Sequence, residues 1–305
     1  MNSQPIGIAI VAPSGYGSDN AAIERGIAAL VAQGHTVHNY FEADKVFQRF
    51  GGTDAARLAQ LNAAASDPQV QVVMALRGQY GLTRLLPEID FARMADSGKI
   101  FVGYSDFTAF HMGLMARTGA QSYAGPMFYS DFGAAEPVAF TQDDFWRCLR
   151  GPRHVIRACV TRNPEAEVEG TIWGGNLAML ISLLGTDWFA RIDDGILFVE
   201  DINEHPYRVE RMLLQLLQAG VLGRQKALVL GDFSGYRLSP ADNGYDFCAM
   251  LAYLRATLPI PVLTGLPFGH TAHRATIPFG ARARLCSDEA GFTLTMSGYP
   301  TVAHG

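Results

Sequence analysis

Along the first half of the chain, short unbroken apolar runs alternate with stretches whose apolar residues recur every three or four positions. The first pattern suits a strand covered on both faces; the second suits an amphipathic helix. Ile6 to Ala12 reads as a buried strand and Ala21 to Gln33 as a helix stopped by Gly34. Thr36 to Tyr40 is a short strand, and Thr53 to Ala65 a helix with Thr53 as its N-cap. Val70 to Leu76 is a strand that runs into the turn Arg77-Gly78-Gln79-Tyr80-Gly81. Ile89 to Ala95 is helical. Ile100 to Gly103 is a strand, followed after Tyr104-Ser105-Asp106-Phe107 by a helix over Thr108 to Arg117. This alternation predicts a mainly parallel, doubly wound sheet with helices on both faces. Loops at the carboxyl ends of such strands collect function. The first loop, the Arg77–Gly81 turn and Ser105 therefore belong to one edge.

Gly151-Pro152 breaks the pattern. Beyond it strands dominate: Val155 to Val160, Glu167 to Ile172, Ile196 to Glu200, Ala227 to Leu230, and an alternating hairpin from Ala281 to Ser297. Helices are expected near Asp143 to Leu149, over Leu177 to Leu184 and over Pro206 to Ala219, the last opened by proline and closed by Gly220. The expected organisation is an N-terminal α/β domain over 1–125, a linker with a helix over 126–160, and a sheet-rich α/β C-terminal domain over 161–305.

Composition narrows the function classes. The 305 residues are 49% hydrophobic and 17% charged, enough apolar material for a large core. The net charge of -5, with no basic run, argues against nucleic acid and anionic membranes as partners. No apolar run approaches the ~18 residues of a membrane helix, and no secretory leader pattern opens the chain. The expected location is the cytosol. Cys148, Cys159, Cys248 and Cys286 are scattered and read as free thiols in a reducing compartment.

Four stretches carry candidate chemistry. Gly103-Tyr104-Ser105-Asp106-Phe107 approximates a nucleophile elbow, which would expose the Ser105 hydroxyl at a strand-to-helix turn. The same residues also serve simply to start a helix. The glycine turn at Arg77–Gly81 can offer backbone N–H groups to an oxyanion or carboxylate, or can be only a tight turn. The strand Leu197 to Glu200 delivers Glu200 and Asp201 to the start of a helix, with Glu200 the better placed to orient a histidine. Gly269-His270-Thr271-Ala272-His273 puts two histidines three apart, without the carboxylate spacing of a metal site. His111 lies in the helix after Ser105 and should point away from it. Ser105, Glu200 and His270 can supply a nucleophile, an orienter and a base, since such a set is defined by geometry and not by order. A binding protein without catalysis on the same scaffold remains an alternative. A glutamine amidotransferase is disfavoured, because the elbow carries serine and not cysteine.

Six blocks now bear on family. They are Ala12-Pro13-Ser14-Gly15-Tyr16, Leu76-Arg77-Gly78-Gln79-Tyr80-Gly81, Tyr104-Ser105-Asp106-Phe107-Thr108-Ala109, Gly170-Thr171-Ile172-Trp173-Gly174-Gly175-Asn176-Leu177, Glu200 through Leu213, and Gly265-Leu266-Pro267-Phe268-Gly269-His270. In this order the chain resembles the LD-carboxypeptidases of peptidase family S66. The resemblance implies a glutamine-amidotransferase-like N-terminal domain, a sheet-rich C-terminal domain, a site in the cleft between them, and a homodimer. It implies a serine mechanism with Ser105, Glu200 and His270 as the catalytic set and no metal or organic cofactor. The implied oxyanion donors are the backbone N–H of Asp106 and one from Gly78 or Gln79. Gln79 stands where the family often has glycine. The implied substrate is a cytosolic murein tetrapeptide, whose terminal D-alanine is released in peptidoglycan recycling. The alternative is a related serine amidase acting on peptidyl-nucleotide antibiotics. Arg77, Arg208 and Arg274 are candidates to bind the substrate carboxylate, by position and charge.

Overall fold

The computed structural model describes residues 5–302. The first five strands are β1 (Gly7–Val11), β2 (Thr36–Asn39), β3 (Val72–Ala75), β4 (Ile100–Gly103) and β5 (Ser122–Ala124). They pair in parallel in the order β5-β4-β3-β1-β2. Every residue of β1, β3, β4 and β5 is buried, which is why these strands read as continuous apolar runs. Helices Asn20–Ala32, Asp54–Ser66, Phe91–Asp96 and Thr108–Thr118 connect them. Thr53 Oγ1 accepts a hydrogen bond from the Ala56 N–H, as an N-cap should, at 3.2 Å. β2 lies on one side of β1 and β3 on the other, so a crevice opens beyond the carboxyl ends of β1 and β3.

The second sheet gathers the strands after residue 150. They are β6 (Arg153–Ala158), β7 (Ala166–Asn176), β8 (Ile196–Ile202), β9 (Ala227–Ser234), β10 (Val262–Thr264), β12 (Arg282–Asp288) and β13 (Gly291–Ser297). Their order is β10-β9-β8-β7-β12-β13-β6. β7 to β10 are parallel; β6, β12, β13 and the first part of β7 are antiparallel. β7 records the change in its own sequence. Its residues up to Thr171 pair only with β12, and four of those six are intermediate in burial while Glu167 and Glu169 are exposed; from Ile172, where β8 joins, all are buried. Antiparallel pairs tolerate one wet face, and parallel strands covered by helices do not.

The chain crosses between the two units more than once. β11 (Ile277–Phe279) returns to the first sheet and pairs antiparallel with β5, covering what would be an open edge. β6 lies within the stretch expected to be linker, alongside the helix Ala139–Arg150. The units also meet beside Ser105. The Asn176 N–H donates to Thr108 Oγ1 at 3.0 Å, and a Cβ on Gly175 would sit 2.5 Å from that same oxygen. The glycine at the end of β7 is what lets the second sheet come this close.

Candidate active site

β4 ends at Gly103, and the chain turns sharply before the helix Thr108–Thr118. Ser105 sits in that turn at φ 59, a left-handed conformation that a non-glycine residue adopts at a cost of roughly 1–2 kcal/mol. The strain projects the Ser105 side chain into a cavity of about 690 Å³ at the crevice. Gly78 backs against it. A Cβ on Gly78 would lie 2.9 Å from Ser105 Cβ, 3.1 Å from Ser105 Oγ and 3.5 Å from the Asp106 nitrogen. The glycine turn after β3 and the elbow after β4 are thus in direct contact.

From the second unit come Glu200 and His270. Glu200 lies on β8 and is wholly buried. The β8–β9 register shifts between Val199 and Asp201, so β9 carries an extra residue opposite Glu200, at Gly231-Asp232. That bulge seats the loop bearing His270: the Asp232 N–H donates to the Phe268 carbonyl at 2.8 Å. His270 Nδ1 then lies 2.7 Å from Glu200 Oε2, and His270 Nε2 lies 3.2 Å from Ser105 Oγ. A buried carboxylate can only accept, so Nδ1 carries the proton and Nε2 is left to accept from the serine hydroxyl. Ser105, His270 and Glu200, far apart in sequence, form one hydrogen-bonded series across the two units. Deprotonation of Ser105 by His270, with Glu200 holding the imidazole, is the chemistry this geometry permits.

Residues 8–125 match the family model described as the LD-carboxypeptidase N-terminal domain, and residues 169–285 the one described as the LD-carboxypeptidase C-terminal domain. The chain belongs to the LD-carboxypeptidase family. Among solved structures it resembles the muramoyltetrapeptide carboxypeptidase from Oxalobacter formigenes, at 52% identity and a TM-score of 0.93, covering 97% of this chain and 100% of that one. It is 30% identical over 241 residues to the "Probable murein peptide carboxypeptidase" of Bacillus subtilis, covering 78% of this chain and 76% of that protein. It is also 26% identical over 280 residues to the Microcin C7 self-immunity protein MccF of Escherichia coli, covering 80% and 79%.

The other residues of interest in this family member fall into separate places. Arg77, Gly78, Gln79, Ser105 and His270 all line the cavity. Gln79 adopts φ 77, and its side chain lies where a Cβ on Gly15 would be, 2.1 Å from Oε1. The turn therefore keeps a left-handed residue even without glycine. Arg77 lies against the Tyr129 ring, 5.4 Å from its centre. Arg208 is half exposed on the helix Pro206–Gln218, where it pairs with Glu204 at 3.6 Å. It is not among the residues lining the cavity. Arg274 is buried: it pairs with Asp131 at 2.6 Å, donates to the Gly269 and Thr271 carbonyls, and stacks on Tyr104 at 3.7 Å. Its guanidinium ties the His270 loop to the first unit. Burial pushes the Tyr104 hydroxyl up to about 12.

Two cavity residues were invisible in the residue pattern. Asp19 and Arg25, 3.6 Å apart, line the cavity from the helix Asn20–Ala32 and its cap. Asn176 caps the helix Leu177–Leu183, its Oδ1 accepting from the Met179 N–H at 3.1 Å, and donates from Nδ2 to Glu200 Oε1 at 3.2 Å and to Asp201 Oδ1 at 3.0 Å. Asp201 is buried beside Glu200, and desolvation pushes its carboxyl up to about 6. His111 points away from the serine as expected. Its Nε2 lies 3.0 Å from the Gly103 carbonyl and its Nδ1 2.8 Å from Ser122 Oγ, so it braces β4 to β5. His273 lies against Phe140 with ring centres 6.1 Å apart. Among the described residues no helix is long and apolar enough to cross a membrane.

Proposed function

We propose that this family member is a serine-type L,D-carboxypeptidase that releases the terminal D-alanine from murein tetrapeptides in cytosolic peptidoglycan recycling. The observation that carries the reading is the series Ser105–His270–Glu200, closed at 3.2 Å and 2.7 Å with the serine at φ 59. In this reading His270 removes the Ser105 proton as the oxygen attacks the carbonyl between the L-centre of the third residue and D-alanine. Glu200 stabilises the imidazolium that forms. The N–H of Asp106 and one from the Gly78–Gln79 turn hold the oxyanion. His270 then protonates the leaving amine, and water repeats the cycle on the acyl-enzyme. The muramoyltetrapeptide and murein peptide names borne by the two carboxypeptidase relatives support the substrate class. Arg77, in the cavity wall, is the candidate for the free carboxylate.

A murein tetrapeptide ending in D-alanine should yield free D-alanine, and the same peptide ending in L-alanine should not. The second reading rests on the likeness to MccF: a serine amidase acting on peptidyl-nucleotide antibiotics. Offering both substrate types at equal concentration separates the two, since the proposal requires the murein peptide to have the higher kcat/KM.

A further inference from the structure

Behind the elbow lies a buried polar cluster that the mechanism above does not use. The Asp106 side chain is only 1% exposed, and only its backbone N–H has a role in the reading proposed above. Its Oδ2 accepts from Ser14 Oγ at 2.5 Å and from the Leu82 N–H at 2.9 Å. Its Oδ1 is buried with no hydrogen-bond partner. Ser14, wholly buried, belongs to the loop after β1, and Leu82 begins the helix Leu82–Leu85 that closes the glycine turn after β3. One carboxylate oxygen therefore joins the loops at the ends of β1, β3 and β4. A second group joins the first two of these loops from beneath. Arg57, also wholly buried, donates through Nη1 to the Pro13 carbonyl and to the Gly81 carbonyl, the latter at 3.0 Å, and through Nη2 to Asp54 at 2.5 Å. The Gly15 N–H, donating to the Gly78 carbonyl at 2.9 Å, completes the set.

A buried carboxylate is costly, and desolvation here pushes the Asp106 carboxyl upward against the hydrogen bonds and Arg57, which favour its charge. Stability alone does not call for such a group, since replacing a buried polar set as a whole by apolar residues of similar volume is often neutral or stabilising. What the cluster does fix is relative position. One oxyanion donor belongs to Asp106 itself, and the other belongs to the turn that Leu82 and Arg57 hold down. Both sit on loops, and loops are the mobile part of an α/β scaffold.

We propose that the Asp106 carboxylate, with Ser14 and Arg57, is a positioning device that sets the two oxyanion donors at a fixed separation. The inference rests on the reading of Ser105 as nucleophile. Asp106→Ala releases both loops, so transition-state stabilisation falls while ground-state binding in the cavity stays. The expected result is a drop in kcat of ~10²-fold, the scale of losing one oxyanion donor, with KM within about twofold of the parent. A phosphonate analogue of the scissile bond, which carries the anionic oxygen, should lose affinity in step with kcat. Asp106→Asn should recover at least about tenfold of that loss: its amide oxygen can still accept from Ser14 and Leu82, and its NH2 takes the place of the unpartnered Oδ1. Ser14→Ala removes a single hydrogen bond and serves if Asp106→Ala does not fold; it should lower kcat about tenfold with KM unchanged. Folded variants with kcat within about threefold of the parent overturn the proposal. So does a KM rise that accounts for the loss, or an Asn variant as poor as Ala. If the parent is active but Ser105→Ala is equally active, the nucleophile reading has failed instead, which keeps the two apart.

Discussion

Gly78→Ala tests how closely the two functional turns fit. The added Cβ would lie 2.9 Å from Ser105 Cβ and 3.1 Å from its Oγ. Carbon atoms pack at about 3.5 Å or more, so something must move by about 0.6 Å. Gly78 is outside the left-handed region, so alanine meets no backbone penalty and the cost is purely the clash. Two responses are open. If Ser105 retreats along the line to His270, the geometry of a hydrogen bond already at 3.2 Å is disturbed; if it swings sideways, the bond is stretched out of range. If instead the glycine turn retreats, the N–H proposed to hold the oxyanion moves with it. Either displacement removes an interaction made mainly in the transition state, worth ~10²–10³ in kcat, or roughly 3–4 kcal/mol of barrier. The assay is steady-state D-alanine release from a murein tetrapeptide, with a thermal melt to verify folding. A folded variant whose kcat stays within about threefold of the parent would refute the reasoning.

Three further expectations follow from the same geometry. Asn176 donates to Glu200 Oε1; in Glu200→Gln that contact keeps the amide oxygen and turns the NH2 toward His270, which forces the wrong imidazole tautomer. A kcat loss of ~10³–10⁴ with near-normal melting is expected, and an active variant would contradict it. Arg274→Ala leaves Asp131 buried without its partner at 2.6 Å and should cost roughly 3–5 kcal/mol in a denaturant melt; a KM effect without a stability effect would instead mark Arg274 as a substrate ligand. His111, depressed by burial from 6.5 to about 4, stays neutral in the fold while the unfolded chain takes up a proton. Its contribution is therefore complete above the unfolded value and is lost as pH falls toward the folded one, by roughly 3 kcal/mol. His111→Gln should flatten that part of the stability profile, and an unchanged profile would show that another group sets it.

Most of the scaffold was legible because parallel strands buried on both faces leave unbroken apolar runs, as at Ile6 to Ala12 and Ile100 to Gly103. The short pieces were not. β5, β10 and β11 have three residues each, too few for a period to show. The helix Phe247–Thr257 buries only Met250 and Leu254, so its stripe is faint. β11's return to the first sheet is a long-range pairing that no local pattern encodes. At the site, Ser105 and Glu200 announce themselves by standing where apolar runs end. His270 does so only through the residues around it. Asp19 and Arg25 do not, because their roles depend on which elements fold against them. The same limit separates Arg77 from Arg208 and Arg274: equal charges in sequence, but one in the cavity wall, one half exposed beside Glu204 and one buried against Asp131.

The central claim is that Ser105 is the nucleophile of a D-alanine-releasing reaction. It is tested most directly by incubating the parent protein and Ser105→Ala with the same murein tetrapeptide and measuring free D-alanine. The parent should release it and the folded variant should be slower by at least ~10³-fold. Equal release by both, or none by the parent, would contradict the account.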